Sequence, residues 1–253
     1  MSIVAEESTR IRPLVAWRAL RALFRNGEDT KQVFIIADAL RGRTGARVFE
    51  QFRKSATGKT ILAEKRSLLS VLSDRARLAA LPAGTLGHCY HDFMAEEDLT
   101  ADGLVEASRV VARTEVSDDQ QLFRERNRDQ HDLHHVSTGY GRDGLGEVCV
   151  LAFGYAQTRN RGIGAIALFG MIKLARALPG QPVRAAVLQA YRNGRAAARL
   201  CEQDWEALLP ETLETVRRRL NIQKPTLYRQ IVAAMQSVAP AESKAPRRAM
   251  AAE

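Results

Sequence analysis

Three of the chain's five histidines, His131, His134 and His135, fall within one short stretch, RDQHDLHHVSTGYGRDGLGEV, from Arg128 to Val148. On a helix, His131 and His135 are one turn apart and project from the same face. Asp132, three residues before His135, borders that face, and His134 points elsewhere. Two imidazoles and a carboxylate in a small triangle suit a divalent transition metal. Behind them Gly139, Gly141, Gly144 and Gly146 let the chain leave the helix through positive φ and double back. Glu147 then opens the next apolar segment, where it can close the site as a fourth ligand. Two carboxylates and two imidazoles gathered without a cation would bury charge at a substantial cost for each unpaired ion, and a metal removes that cost.

The motif alone leaves alternatives open. A solvated turn whose histidines make caps and surface hydrogen bonds would use the same residues. The H-E-x-x-H zinc hydrolases share the spacing, but here aspartate stands where their general base is glutamate. H-D phosphohydrolases also bind divalent metals through an adjacent His-Asp pair.

The elements that must position these residues read as helical. PLVAWRALRALFRN, from Pro13, repeats Leu14, Trp17, Leu20, Leu23 and Phe24 at spacings of three and four, with arginines opposite. TKQVFIIADALRG follows, with Thr30 as cap and Gly42 as stop. Further periodic stretches cover Ala46–Phe52, Ser67–Leu81, Leu104–Ala112, a run after Gly162, Val183–Leu200 and Glu211–Leu220. EVCVLAF is the one segment that could be a strand, and the expected fold class is all-α. GIGAIALFGMIKLARAL has about eleven apolar positions, too few for the roughly 20 of a membrane span. It reads as a buried core helix whose glycines admit close neighbours, or as the wall of a tunnel for an apolar ligand. The expected organisation is a flexible start over 1–12, one helical domain over 13–238 with its metal site on a helix-loop-helix, and a disordered tail over 239–253.

Composition narrows the setting. The 253 residues are 45% hydrophobic and 26% charged, which excludes disorder throughout. Cys89, Cys149 and Cys201 are odd in number and widely spaced, neither a disulfide framework nor a zinc ribbon, and fit a reducing compartment. The start, MSIVAEESTRIRP, carries two early glutamates and no apolar run, which argues against secretion and import. The net charge of +9 is spread along the chain. It favours attraction to an anionic surface such as lipid headgroups, nucleic acid or acidic metabolites, unless it reflects a basic proteome background.

The spacing H-D-x-x-H, eleven residues, then E resembles the signature of the ubiquinone (coenzyme Q) biosynthesis protein 4 family, here His131, Asp132, His135 and Glu147. HVSTGYGRDGLGE is similar to that family's flanking sequence. LPAGTLGHCYHDFM resembles its Pro-x-Gly-Thr-Leu-Gly stretch, and DWEALLPETLETVRRRLNI its closing helices. The likeness runs from about Leu81 to Leu220. It implies a helical metal-binding protein, peripheral to a membrane, that acts on a polyprenylated benzoate-type ring. The implied reaction is an oxidative decarboxylation at C1. The alternative it implies is a lipid-binding organiser of the other ubiquinone biosynthesis proteins. Under this reading Asp132 and Glu147 are the expected catalytic residues as well as metal ligands. Zinc is the expected ion, with iron, manganese or magnesium as alternatives. The expected partners are the ring precursor, the other ubiquinone enzymes, a membrane surface and a second copy of the chain. The expected location is cytoplasmic, on the inner face of the membrane.

Two features stand apart. His88 and His91, with Cys89 and Asp92, form an H-x-x-H that the family motif does not call for, so a surface or capping role is expected there. ETVRRRLNIQKPTLYRQIV resembles a helix-turn-helix, with Val216 and Leu220 packing, Asn221 in the turn and Arg229 toward phosphate. It lacks the turn glycine, and burial of Leu220, Ile222 and Leu227 in the body of the protein explains it equally. No nucleic-acid partner is expected.

Overall fold

Short polar side chains divide the chain into helices. Ser67, Asp74, Thr85, Ser117 and Asp143 each stand before a helix and accept a backbone N–H from its first turn. They satisfy donors that have no partner within the helix. The computed structural model describes residues 10–25, 30–101 and 116–238. Its helices are α1 (Pro13–Arg25), α2 (Thr30–Ala39), α3 (Thr44–Lys54), α4 (Ala56–Glu64), α5 (Leu68–Leu72), α6 (Arg75–Ala79) and α7 (Leu86–Glu96). After them come α8 (Asp118–Asp129), α9 (His131–Thr138), α10 (Gly144–Thr158), α11 (Arg161–Ala177) and α12 (Val183–Ala196). The last are α13 (Trp205–Leu208), α14 (Leu213–Arg219) and α15 (Thr226–Val238). Among the described residues there is no strand, only an isolated bridge between Thr85 and Thr212, and the fold is all-α. EVCVLAF lies inside α10. The expected helix at Leu104–Ala112, the tail 239–253 and residues 1–9 of the expected flexible start lie outside the described residues.

The largest core cluster gathers Leu86, Tyr90, Leu133, Phe153, Ala190 and Trp205 from several helices. Helix α10 packs on both α11 and α12. Helix α9, which carries the three histidines, buries Leu133 and Val136 in this core and is held by α7, α10 and α14. Trp205 is fully buried and donates its indole N–H to Gln130 Oε1 at 2.8 Å, which fixes the residue just before α9.

Several elements differ from expectation for identifiable reasons. Ser67–Leu81 is two short helices, because Asp74 caps a new start at Arg75. Helix α8 has few apolar residues and so a faint period; its signal is the capping box of Ser117 and Gln120. In α1 the small residues Ala16 and Ala19 are buried, Leu20 and Leu23 pack on Ile36 and Ile166, and Leu14 and Trp17 are 73% and 54% exposed. The close contact with α2 falls on the alanines, which turns Leu14 and Trp17 of the expected apolar stripe outward; the Phe24 side chain lies outside the described residues. Helix α11 is a core helix on one face only: Ile166 and Ala167 are buried, while Leu168 and Phe169 are exposed. Among the described residues no helix is long and apolar enough to cross a membrane.

The four glycines before Glu147 do not all serve the expected purpose. Gly139 alone among them has positive φ (+76°), as the left-handed cap of α9. Gly146 serves a close approach instead, since a Cβ there would lie 1.9 Å from the Gly141 carbonyl oxygen. Gly144 has only ordinary contact nearby, with Leu174 at 3.6 Å. Gly146→Ala should therefore lower unfolding stability by about 1–3 kcal/mol. Gly144→Ala should stay within about 0.5 kcal/mol of wild type. Urea denaturation of the two variants checks this, and equal stability would contradict the close approach.

Candidate metal centre

The site is assembled by a helix, a reversal and a second helix. Gly139 ends α9, and its N–H donates to His135 O at 2.8 Å. The chain then turns through Tyr140–Asp143. Asp143 caps α10 by accepting from the N–H groups of Leu145 and Gly146 at 3.0 and 3.1 Å. From α15 the Tyr228 hydroxyl donates to Asp143 and accepts from the Gly141 N–H at 2.9 Å. The first turn of α10 consequently faces α9, with Glu147 on it.

His131, His135 and Glu147 converge: one ligand atom from each lies within 4.8 Å of the others. The two Nε2 atoms are 3.2 Å apart, and Glu147 Oε2 is 3.5 Å from His135 Nε2 and 3.9 Å from His131 Nε2. The His135 side chain is fully buried, whereas His131 and Glu147 keep 31% and 33% of their side-chain surface, so the centre is open on one side. His135 Nδ1 lies 3.0 Å from the Tyr140 carbonyl. A carbonyl only accepts, so Nδ1 carries a proton, and it is Nε2 that faces Glu147, holding a second proton against the carboxylate or, once that proton is lost, offering its lone pair to a cation. Metal-binding histidines are oriented in this way. Phe93 of α7 stacks on the His135 ring at 5.8 Å.

Asp132 lies outside that trio. It is buried, and its carboxylate makes no hydrogen bond or ion pair with another described residue. Its charge acts on both imidazoles, raising their proton affinity. Burial pushes the His131 pKa down and His135 pushes it the same way, with a net fall. Burial also opposes the charged form of His135, but the adjacent Glu147 carboxylate outweighs it and the pKa rises. Burial works against the Glu147 carboxylate too, yet His135, His131 and Arg142 hold it below the usual range. The donor set fits a divalent cation: two imidazoles and a carboxylate already converge, with the charge of a second carboxylate, Asp132, acting on both rings.

His134 takes no part, as its spacing predicts. Burial, followed by the charges of His131 and His135, pushes its pKa down to about 3, and its buried Nε2 has no partner among the described residues. His88 Nδ1 meets the Leu81 carbonyl at 2.9 Å, and His91 Nδ1 meets Asp92 at 3.1 Å. Both therefore make the expected local bonds. Leu220 and Ile222 are buried, and Leu227 packs on the core. Two site residues escaped sequence reasoning. Phe93 lies in the HDFM stretch but carries no metal signal. Arg142 is the one cation between His135 and Glu147, which could have marked it. Its Nε is 3.7 Å from Glu147 Oε1.

A family model described as coenzyme Q (ubiquinone) biosynthesis protein Coq4 matches residues 8–226. The mitochondrial ubiquinone biosynthesis protein COQ4 homolog of Danio rerio is 30% identical over 207 residues, covering 81% of this chain and 73% of that protein. The Homo sapiens counterpart is 28% identical over 217 residues, covering 85% and 79%. A crystallised Nostoc punctiforme protein, provisionally assigned to ubiquinone biosynthesis, superposes with a TM-score of 0.61 at 25% identity. That match covers 84% of this chain and 98% of the other.

The convergence of ligand atoms predicts a specific pattern of metal loss. His131→Ala, His135→Ala and Glu147→Gln should each weaken zinc binding by more than the roughly 10–100-fold that loss of a mere supporting group costs. His134→Ala should keep wild-type affinity. Metal affinity should also fall as pH drops through the imidazole range, because His135 must release the proton that Glu147 helps it hold. Titrations with elemental analysis read all four variants, and equal loss in the His134 variant would refute the arrangement.

Proposed function

The chain belongs to the Coq4 family of coenzyme Q (ubiquinone) biosynthesis proteins, and from that premise we propose a metal-dependent step on a polyprenylated benzoate-type ring. The observation that carries the reading is the convergence of His131, His135 and Glu147 at a centre with one open side. Asp132, which lies outside the trio, would join it as fourth ligand in this reading by turning its carboxylate toward the two imidazoles on which its charge already acts. Asp132 and Glu147 are then the catalytic carboxylates. A divalent ion held there would grip and polarise the ring carboxylate, zinc as a Lewis acid only and iron with redox capacity as well. Two imidazoles disfavour magnesium, which prefers oxygen ligands.

The chain's own residues account for the rest of the substrate. Arg142, exposed at the rim beside Glu147, offers a guanidinium to an incoming carboxylate. Phe93, stacked on His135, gives the ring an apolar flank. A groove of about 460 Å³ between α10, α11 and α12, lined by Ala152, Ala167, Leu168, Met171 and Val187, suits an isoprenoid tail. It begins about 8 Å along α10 from Glu147, at 1.5 Å per residue. The exposed Leu14 and Trp17 of α1, with Arg21 over the indole at 4.8 Å, suit the boundary of a lipid surface. The reaction in this reading breaks the bond from C1 to its carboxylate, which leaves as carbon dioxide, and forms a C1–oxygen bond; dioxygen would supply the new oxygen atom and accept the electrons, its second atom leaving as water with two electrons and two protons from an external reductant.

The second reading, an organiser that binds prenyl lipid and assembles the pathway's enzymes, uses the same groove without chemistry at the metal. Glu147→Gln separates the two, because a carboxamide supplies no negative charge to the cation. In a strain carrying only this variant, the catalytic reading expects a prenylated ring that keeps its C1 carboxylate, with partner proteins still recovered in a pull-down. Lipid mass spectrometry reads the outcome. Normal ubiquinone in that strain would overturn catalysis at this site.

A further inference from the structure

Behind the metal centre, where α12, α14 and α15 meet, a cavity of about 630 Å³ opens to solvent. Its lining includes Arg217, Arg218 and Lys224 and no carboxylate. Arg229 approaches from α15: its Nη2 and that of Arg217 lie 3.3 and 3.2 Å from where a Cβ on Gly139 would stand. None of these four cations is ion-paired with a described carboxylate, whereas the adjacent Arg219 pairs with Glu211 at 2.9 Å. Arg217 donates through Nε to Ser137 O at 2.7 Å and through Nη2 to Val136 O at 3.0 Å. These are carbonyls at the end of α9, which a cation suits. The bond to α9 explains why Arg217 is there, but not why three further cations surround it. Burial and the nearby Arg229 both weaken its hold on its proton, which marks the cluster as electrostatically uncompensated. The first turn of α15, at Thr226, adds the positive end of a 13-residue helix to the same cavity.

We propose that this junction binds a phosphate group, free in solution or carried by a lipid headgroup, with Arg217, Arg218 and Lys224 as its cationic contacts. Guanidinium forks match phosphate oxygens in pairs, and a lysine ammonium adds a point charge. A phosphate bound here touches, through Arg217, the same helix end that positions His135 one turn earlier. The site is distinct from the metal centre and does not depend on the reaction proposed there.

Arg218 and Lys224 are exposed, so their replacement leaves the core intact, and Arg217 is kept because it holds α9. Calorimetry with pyrophosphate, and flotation with phosphatidylcholine vesicles with or without phosphatidic acid, compare three proteins. These are the wild type, Arg218→Gln/Lys224→Gln, and a control of equal charge, Arg176→Gln/Arg184→Gln. Saturable binding of pyrophosphate or of the acidic vesicles should weaken about tenfold or more in the junction variant and not in the control. Binding of pyrophosphate identifies a free phosphate, and binding of the vesicles alone identifies a headgroup. No binding by wild type, or equal weakening in both variants, overturns the proposal. Tight duplex DNA binding lost only in the junction variant would overturn it in favour of nucleic acid.

Discussion

The hydrogen bond from His135 Nδ1 to the Tyr140 carbonyl governs the metal centre. It joins the last turn of α9 to the chain that has just left it, so the ring cannot turn without moving the reversal. It also assigns the tautomer, which leaves Nε2 as the only nitrogen able to face Glu147. The reversal must then be tight enough to present its first residue's carbonyl to a ring five positions back. Gly139 supplies the left-handed exit, and Gly146 lets α10 lie against the Gly141 backbone. Tyr228 and Asp143 tie the loop from the far side, so Tyr228 of α15, 85 residues beyond Asp143, belongs to the support of the site.

Electrostatics makes the same centre uneasy in the absence of a cation. Burial favours neutral imidazoles and a protonated carboxyl, while proximity favours an imidazolium beside a carboxylate. The outcome is divided: His131 is shifted down, His135 up and Glu147 down. Asp132 adds a further negative charge that acts on both imidazoles. A proton shared between His135 and Glu147 answers only one of the two carboxylates, whereas a dication answers both. His134, one position away, shows the contrasting case. Burial keeps it neutral, and its ring packs 6.2 Å from Trp205.

The meeting of His131 and His135 was legible in the sequence because helical spacing is rigid. Positions 131 and 135 share a face whatever surrounds the helix. Glu147 was legible only through the glycines and the resemblance, since no local rule carries a residue back across twelve positions. The glycines themselves show the limit. Their density announced a reversal, but Gly146 answers a contact with Gly141 that exists only once the turn has formed. For the same reason α1 misled: its bulky stripe obeys the helical period, yet the contact with α2 chose the alanines. Phe93 and the Tyr140 carbonyl were invisible because neither residue type signals a metal.

Helix α10 shows how one element serves two opposed requirements. Its first turn is polar and half open, and there Glu147 gains from the positive end of the helix dipole. From Val148 onward one face is buried, with Cys149 and Phe153 among the least accessible side chains. On that same stretch Ala152 and Tyr155 reach the groove shared with α11 and α12. Small residues keep that groove open: Gly164 lets Tyr155 lie against α11, since a Cβ there would meet its ring at 2.8 Å. A molecule with a charged ring and a long apolar tail needs these two environments about one or two helical turns apart, and α10 provides them along a single rigid axis. Helix α11 is divided in the same way. One face is core, and the other lines an open apolar groove.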